Sequence, residues 1–460
     1  MLFYFKIKII VRKKNEDKVM KFKLFFVFTL CAILNLSAQS EFSPETKRAQ
    51  EAFAKDGFGI FIHWGIYAVH GKGEWWLNKS RMPLEEYEKV AEQFNPVNFN
   101  ADEWAAAFAD AGARYVTITS RHHDGFSIFA TTNTTYDIID ATPYKRDPIK
   151  ELAQACKKQN LKLGFYYSLL DWHRKDFPHH KGVGDYDSYF SFMKGQLGEL
   201  LTNYGPINCL WFDGQWARTD SGFDWRLPEL FDYVRSIQPS CLVGNNSHVS
   251  LQPGEDFQIW EINFPGGHTG HMNDKQTIAT NVPLECCWSM TSDAWGYQSN
   301  DLMEKNPSKE LIRKLIRARF LGANLLLNVA PAPDGSIPAP ALERLKDIGE
   351  WMCKYGSTIM DAKPGHIFLG GHREFSHVIS TISEDGKTVH MHILADGKKN
   401  YGIWMQFPDT IIAATNRMTG AEVPFVQKMS RSTRHVSFSV DLEEGVPDTI
   451  VDFTIVPSDK

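Results

Sequence analysis

The apolar residues of this 460-residue chain fall in short runs separated by stretches of helical spacing. The runs are Gly57–Trp64, Tyr115–Ser120, Lys162–Ser168, Asn208–Asp213, Cys241–Asn246, Phe257–Ile262, Leu284–Met290 and Asn324–Ala330. Each is bounded by polar or glycine-containing segments and reads as a buried strand. Between the first two, Asn100-Ala-Asp-Glu103 places a capping side chain and an acid three positions later, just ahead of Trp104, Ala107 and Phe108. That is a helix start. Arg146–Gln159 and Leu311–Phe320 repeat with the helical period. Eight buried strands alternating with helices predict an α/β chain folded as a (β/α)8-type, TIM-like barrel over residues 45–357. Phe257–Met290 is loop-rich, so its helices are expected to be short or missing. Beyond Tyr355-Gly356 the period changes to two. Val389–Leu394, Ile403–Phe407 and Val436–Val440 alternate apolar and polar residues, with turns at Glu384-Asp385-Gly386 and Ala395-Asp396-Gly397. This predicts a C-terminal β-sandwich over residues 363–460.

The first residues follow a different logic. Lys21 and Lys23 precede the apolar run Leu24–Leu36, and the small residues Ser37 and Ala38 follow it. A charged start, an apolar middle and a small-residue end predict a signal peptide over residues 1–38, with Met20 as an alternative start. The run is too short for a membrane anchor, and no cysteine stands where a lipid would be attached. The expectation is an exported protein, periplasmic or secreted, or lysosomal in a eukaryote. Six cysteines remain after Cys31: Cys156, Cys209, Cys241, Cys286, Cys287 and Cys353. They form no C-x-x-C pair, which argues against a zinc ribbon. The net charge of −5 argues against a nucleic-acid partner.

A barrel of this type builds its active site from the C-terminal ends of its strands. Here those ends read His63-Trp64-Gly65, Arg121-His122-His123-Asp124-Gly125, Tyr166-Tyr167-Ser168, Trp211-Phe212-Asp213-Gly214, Asn245-Asn246, Trp260-Glu261 and Asn328-Val329. Histidines, aromatic rings and a few carboxylates, without a glycine loop to cradle phosphate, suit a neutral polyol. Imidazole and indole bond to hydroxyls, and aromatic faces pack on the apolar face of a sugar ring. Glycoside hydrolysis needs two carboxylates, one at the anomeric carbon and one at the leaving oxygen. Asp213 fits the first role, because it emerges from the apolar strand Cys209-Leu-Trp-Phe and Gly214 lets the chain turn at once.

Taken in order, Phe58-Gly-Ile-Phe-Ile-His63-Trp64-Gly65, Gly73-Glu74-Trp75-Trp76, Arg121-His122-His123-Asp124-Gly125-Phe126, Trp211-Phe-Asp213-Gly214 and Asn324-Leu-Leu-Leu-Asn328-Val-Ala-Pro331 resemble the α-L-fucosidases of glycoside hydrolase family 29. The resemblance covers about Phe53 to Tyr355. It implies a retaining exo-glycosidase that removes terminal α-L-fucosyl residues from oligosaccharides or glycoconjugates through a covalent intermediate on Asp213. It implies sugar contacts at His63, Glu74, Trp75 or Trp76, His122, His123, Tyr167 and Trp211, with Trp295 near the fucose methyl group. No cofactor and no metal are expected, and the charge and the short apolar run leave no nucleic-acid partner and no membrane anchor expected either.

The acid/base is less sharply marked, because the family carries it on a loop of variable length. Glu261 ends a strand and is followed by Asn263-Phe-Pro-Gly-Gly, like the family's acid/base loop. Glu285 matches another recurring family carboxylate and stands as the second candidate. Glu255 and Asp256 precede a strand and should face the opposite rim. Three other readings remain on the sequence: a same-fold hydrolase of a related sugar such as a galactoside, a metal-dependent barrel hydrolase using His63, His122, His123 and His248, and an inactive sugar-binding homologue.

Overall fold

The structure is a computed structural model, and it describes residues 42–178, 184–218, 223–267, 276–370 and 372–456. The signal peptide expected over residues 1–38 lies outside them. Eight parallel strands form the first sheet: β1 (Phe58–Ile62), β2 (Tyr115–Arg121), β3 (Lys162–Ser168), β4 (Ile207–Asp213), β5 (Leu242–Asn246), β6 (Gln258–Glu261), β7 (Leu284–Ser289) and β8 (Ala323–Val329). Their order is β5-β4-β3-β2-β1-β8-β7-β6, the TIM-like barrel expected from the sequence. Helix α1 (Pro44–Asp56) precedes β1. Helices α2 (Ala101–Asp110), α3 (Pro148–Lys158), α4 (Tyr186–Asn203) and α5 (Leu227–Ile237) follow the first four strands in turn. Helices α6 (Ser308–Phe320) and α7 (Ala339–Tyr355) follow β7 and β8. Among the described residues no helix follows β5 or β6, in keeping with the loop-rich sequence there.

The strands form because each buries both faces, and the pleat sorts the side chains. Phe61, Tyr115, Tyr166, Cys209, Trp211, Phe257, Ile259, Cys287 and Leu326 pack together inside the barrel. Their chain neighbours Ile60, Val116, Phe165, Leu210, Phe212 and Trp260 pack outward with the helices. Phe53 of α1 belongs to the interior set, with its ring 5.4 Å from Tyr115 and 5.0 Å from Phe257. Capping follows the sequence signals. Asn100 Oδ1 accepts the Asp102 and Glu103 amides at 3.1 and 3.3 Å, and Asp147 Oδ1 accepts the Lys150 amide at 3.0 Å.

The sheet has no ladder between β5 and β6, and a carboxylate closes the seam. Asp256 lies just before β6. Its amide donates to Val243 O at 2.7 Å and its Oδ2 accepts from Val243 N at 2.8 Å. Arg235 of α5 donates to both carboxylate oxygens at 3.0 Å. Gln50 of α1 donates to the Asp256 carbonyl at 2.8 Å. The position considered for acid/base chemistry is thus part of the wall.

The C-terminal strands run antiparallel in two sheets, as the alternation predicted. One sheet is ordered β13-β16-β11-β10-β9 and the other β12-β15-β14. They comprise β9 (Ala362–Leu369), β10 (Val378–Ser383), β11 (Thr388–Ile393), β12 (Lys398–Gln406), β13 (Thr410–Asn416), β14 (Phe425–Ser430), β15 (Thr433–Leu442) and β16 (Thr449–Val456). Met391, Ile403, Met405, Val436, Phe438 and Phe453 interdigitate between them. The described residues from Glu45 onward pack as one compact unit. Trp351 of α7 donates to Asp448 Oδ1 at 3.0 Å, and the other oxygen of Asp448 is bonded to His392 at 2.7 Å. Arg317 of α6 donates to the carbonyls of Glu374 and Ser376 at 2.8 and 2.7 Å.

Replacing Asp256 by Ala removes the acceptor of the Val243 amide and the charged partner of Arg235, which keeps only the Gly254 carbonyl. The expected loss is about 3 kcal/mol of stability, in the range for breaking a buried pair, read as a lowered denaturant midpoint. A midpoint equal to the parent's would show that the seam closes without this carboxylate.

Candidate active site

β4 delivers Asp213 to the C-terminal rim. The next residue, Gly214, has φ 95°, and a Cβ there would meet Leu170 Cβ at 2.7 Å and Leu170 N at 2.9 Å. Only glycine makes this turn without strain. Asp213 shares the inward phase of Trp211 and is 8% exposed. Its Oδ1 accepts from Trp216 Nε1 at 2.9 Å and from Asn246 Nδ2 at 3.2 Å. Its Oδ2 accepts from Tyr166 OH at 2.9 Å. Three neutral donors therefore occupy lone pairs of this carboxylate without cancelling its charge.

Glu261 ends β6 and reaches the same pocket. Asn246 Nδ2 donates to Glu261 Oε2 at 2.9 Å as well as to Asp213 Oδ1 at 3.2 Å, so those two oxygens lie at most about 6 Å apart. His248 Nε2 stands 3.4 Å from Glu261 Oε2. Burial raises the Glu261 carboxyl above the ordinary glutamate range. The Asp213 charge adds to the rise, while His248 and hydrogen bonds from Asn246 and the Trp295 side chain oppose it.

The three histidines are neutral. Burial lowers His63 to about 3 and His123 to about 4, and pushes His122 well down. Their neighbours fix the tautomers. His63 Nδ1 is 2.7 Å from Asn328 Oδ1, an acceptor. His123 Nδ1 is 2.7 Å from Ser168 Oγ, whose own proton goes to Leu170 O at 2.5 Å. Both rings carry the proton on Nδ1 and keep an accepting Nε2. His123 Nε2 lies 3.5 Å from Asp213 Oδ2. His122 stacks on Tyr166 at 5.3 Å and 8°, and its buried Nδ1 has no hydrogen-bond partner among the described residues.

These groups line a cavity of about 650 Å³ with Phe61, Glu74, Trp75, Trp211, Trp216, Trp288 and Trp295. Trp295 stacks on His63 at 5.3 Å. Glu74 holds the backbone of that segment, accepting the Trp295 and Gly296 amides at 2.9 and 2.6 Å. Trp75 stacks on Trp216 at 5.6 Å and meets His123 edge-on at 5.6 Å.

Four positions named from the sequence lie elsewhere. Tyr167 has the outward phase. Its hydroxyl donates to Gln196 Oε1 at 2.8 Å and its ring lies under Arg121 at 4.4 Å. Trp76 opens a short helix and packs 5.9 Å from His70, away from the cavity, so Trp75 is the lining residue of that pair. Glu285 lies beneath the floor, where it accepts from Tyr115 OH at 2.5 Å and Trp211 Nε1 at 3.0 Å. Burial pushes it up to about 7, yet a substrate in the cavity does not reach it. Glu255 is pushed to about 8 by burial beside Asn245 and also lies off the cavity.

The sequence reading missed Tyr166, Asn246 and Trp216. The signal for Tyr166 was available: alternation along Phe165-Tyr-Tyr-Ser168 puts Tyr166 and Ser168 on one face, and in the sheet they pair with Trp211 and Asp213. No group of three His, Cys, Asp or Glu side chains among the described residues is arranged to hold a metal ion.

The sequence pattern of the family described as Alpha-L-fucosidase matches residues 31–357. The tissue α-L-fucosidase of Mus musculus is 31% identical over 339 residues, spanning 68% of this chain and 72% of that protein. The plasma α-L-fucosidase of Homo sapiens is 29% identical over 346 residues, spanning 69% and 71%. Among solved structures, α-L-fucosidase isoenzyme 1 from Paenibacillus thiaminolyticus superposes with a TM-score of 0.74 at 30% identity, covering 90% of this chain and all of that one.

The neutral histidines give a direct test. A pKa of about 3 for His63 and about 4 for His123 lies below the unfolded value of about 6.5. Between those limits the unfolded chain takes up protons that the native state does not, so both sites lower stability as pH falls below about 6.5. Nitrogen NMR of histidine-labelled protein should show both rings as neutral Nδ1-H tautomers from pH 8 to pH 5. An imidazolium signal assigned to either ring at pH 6 would contradict the assignment.

Proposed function

The chain belongs to the α-L-fucosidase family of retaining glycoside hydrolases, and on that premise we propose that Asp213 is the nucleophile and Glu261 the acid/base. The observation that carries this is the single Asn246 amide group holding both carboxylates, with oxygens no more than about 6 Å apart. Retaining glycosidases place their carboxyl groups about 5–5.5 Å apart, whereas inverting ones leave roughly 6.5–9.5 Å for a water.

A terminal α-L-fucosyl residue enters with its hydroxyls towards His63, His122 and His123. The Nε2 atoms of His63 and His123 accept hydrogen bonds from sugar hydroxyls. Phe61, Trp211 and Trp295 form the apolar wall for the methyl group, where a galactoside would bring a hydroxymethyl. Asp213 Oδ2 attacks the anomeric carbon while Glu261 transfers its proton to the glycosidic oxygen. The leaving sugar departs and a fucosyl ester remains on Asp213. Esterification removes the Asp213 charge, so the Glu261 carboxyl falls in pKa at the step where it must take a proton from water. That water attacks the same carbon, the ester opens, and fucose leaves with its configuration retained.

We further assign residues 45–357 as the catalytic part and residues 363–460 as a supporting module. Export through the 1–38 segment agrees with relatives named as tissue and plasma enzymes. No described helix is long and apolar enough to cross a membrane.

Asp213→Ala should lower turnover of a fucosylated disaccharide by about 10³-fold or more. With an activated aryl fucoside, added azide should restore part of the rate and yield the inverted fucosyl azide. Wild-type-like activity in this variant would refute the mechanism.

Glu261→Ala separates the two steps. An aryl fucoside with a good leaving group needs little proton donation, so its first step should survive and the ester should accumulate. A natural disaccharide should lose orders of magnitude more rate. Should Glu285→Ala show that split instead, the roles must be exchanged.

A further inference from the structure

The cavity, about 650 Å³, is larger than one deoxyhexose ring, and part of its lining lies beyond Glu261. Around the barrel, β2 with His122 and His123 stands across from β6 with Glu261. The acid/base marks the leaving-group side. There the lining continues past Glu261 through Ile262 and Trp288 to Asn306 and Lys314, the last on α6 behind β7. Ile262 is 38% exposed and available to a second ring.

The basic side chains of α6 divide sharply. Lys309 and Arg313 reach Asp396 at 2.9 and 2.8 Å. Arg317 is held by two carbonyls of the sandwich, and Arg319 donates to Ala323 O at 3.0 Å. Of these side chains Lys314 alone faces the cavity, which Lys79 also lines from the Glu74 side, and the Lys314 ammonium has no hydrogen bond or ion pair among the described residues. The nearby lining acid Asp293 is taken by Lys305 at 2.5 Å. Burial lowers the lysine from its ordinary range; Glu310, one turn back and bonded to Arg313 at 2.9 Å, opposes that, and Arg317 adds to it. A partly desolvated cation at the edge of a sugar-sized space, with no acid in direct contact, can take a further counter-charge.

We propose that this side of the pocket binds a negatively charged substituent, a carboxylate or a sulfate ester, on the sugar that carries the fucosyl residue, with Lys314 as its cationic partner. The inference rests on the fucosidase reading above and narrows it to a class of acidic fucosylated glycans.

The test compares kcat/KM for a matched set: one fucosylated disaccharide that is neutral, its counterpart sulfated on the fucose-bearing sugar, its counterpart carrying a carboxylate there, and an aryl fucoside. Wild-type enzyme at low salt should prefer at least one acidic member over the neutral one by on the order of tenfold. That preference should shrink as salt is added, vanish in Lys314→Met and persist in Lys314→Arg. Which acidic member leads identifies the charged group. Equal cleavage of neutral and acidic members by the wild type overturns the inference while leaving the fucosidase reading intact. So does a Lys314→Met variant that loses the same factor on every member. A wild type that cleaves no member, the aryl fucoside included, removes both readings together.

Discussion

The pleat of the parallel strands governs everything at the rim. Side chains alternate between the barrel interior and the helices, and paired residues on neighbouring strands point the same way. Tyr166 pairs with Trp211 and Ser168 with Asp213, so a floor ring and a rim group stand side by side on β3 and β4. Slipping β4 by one residue would turn Asp213 towards α4 and α5 and bring Phe212 into the pocket. The stacked rings of Tyr166 and Trp211, 5.5 Å apart, close the floor beneath the carboxylate. Glu285 then ties that floor to Tyr115 from below.

Charge is distributed economically over this frame. The histidines enter a buried site as neutral rings, because Asn328 and Ser168 supply acceptors for Nδ1-H and no cation need be desolvated. The two pocket carboxylates diverge in environment. Asp213 receives three donors, whereas Glu261 is raised by burial and by Asp213 itself. Divergent environments for paired acids are what acid/base chemistry at one site requires. A raised carboxyl by itself is weaker evidence. Glu285 and Glu255 are both raised, and neither touches the cavity.

Much of this was legible in the residues. Run length and flanking turns located every barrel strand, and period-two alternation located the sandwich, because both patterns are direct images of burial. His63, His122, His123, Asp213 and Glu261 were legible as strand-end polar groups, and the cavity gathers them. The family resemblance points to Tyr167, whereas the phase of the strand puts Tyr166 on the pocket face. Asn246 and Trp216 were invisible for a different reason. Their importance lies in which atoms they reach across β4, β5 and the turn after Gly214, and no local period encodes that. Helix α1 was also missed, since its polar surface hides the single Phe53 that enters the barrel floor.

The bare seam between β5 and β6 has a meaning for descent as well as for stability. Around most of the barrel a lengthened connection would have to displace a packed helix, and the β1 to β4 residues proposed to hold the sugar sit under that restraint. Behind β5 and β6 there is no helix to displace among the described residues, and Asp256 pins the wall without one. Insertions can accumulate there at little cost to the core. On the proposed reading, the half of the site that grips the removed sugar is fixed by its scaffold, while the half that meets the remainder of the glycan is left open to diversification.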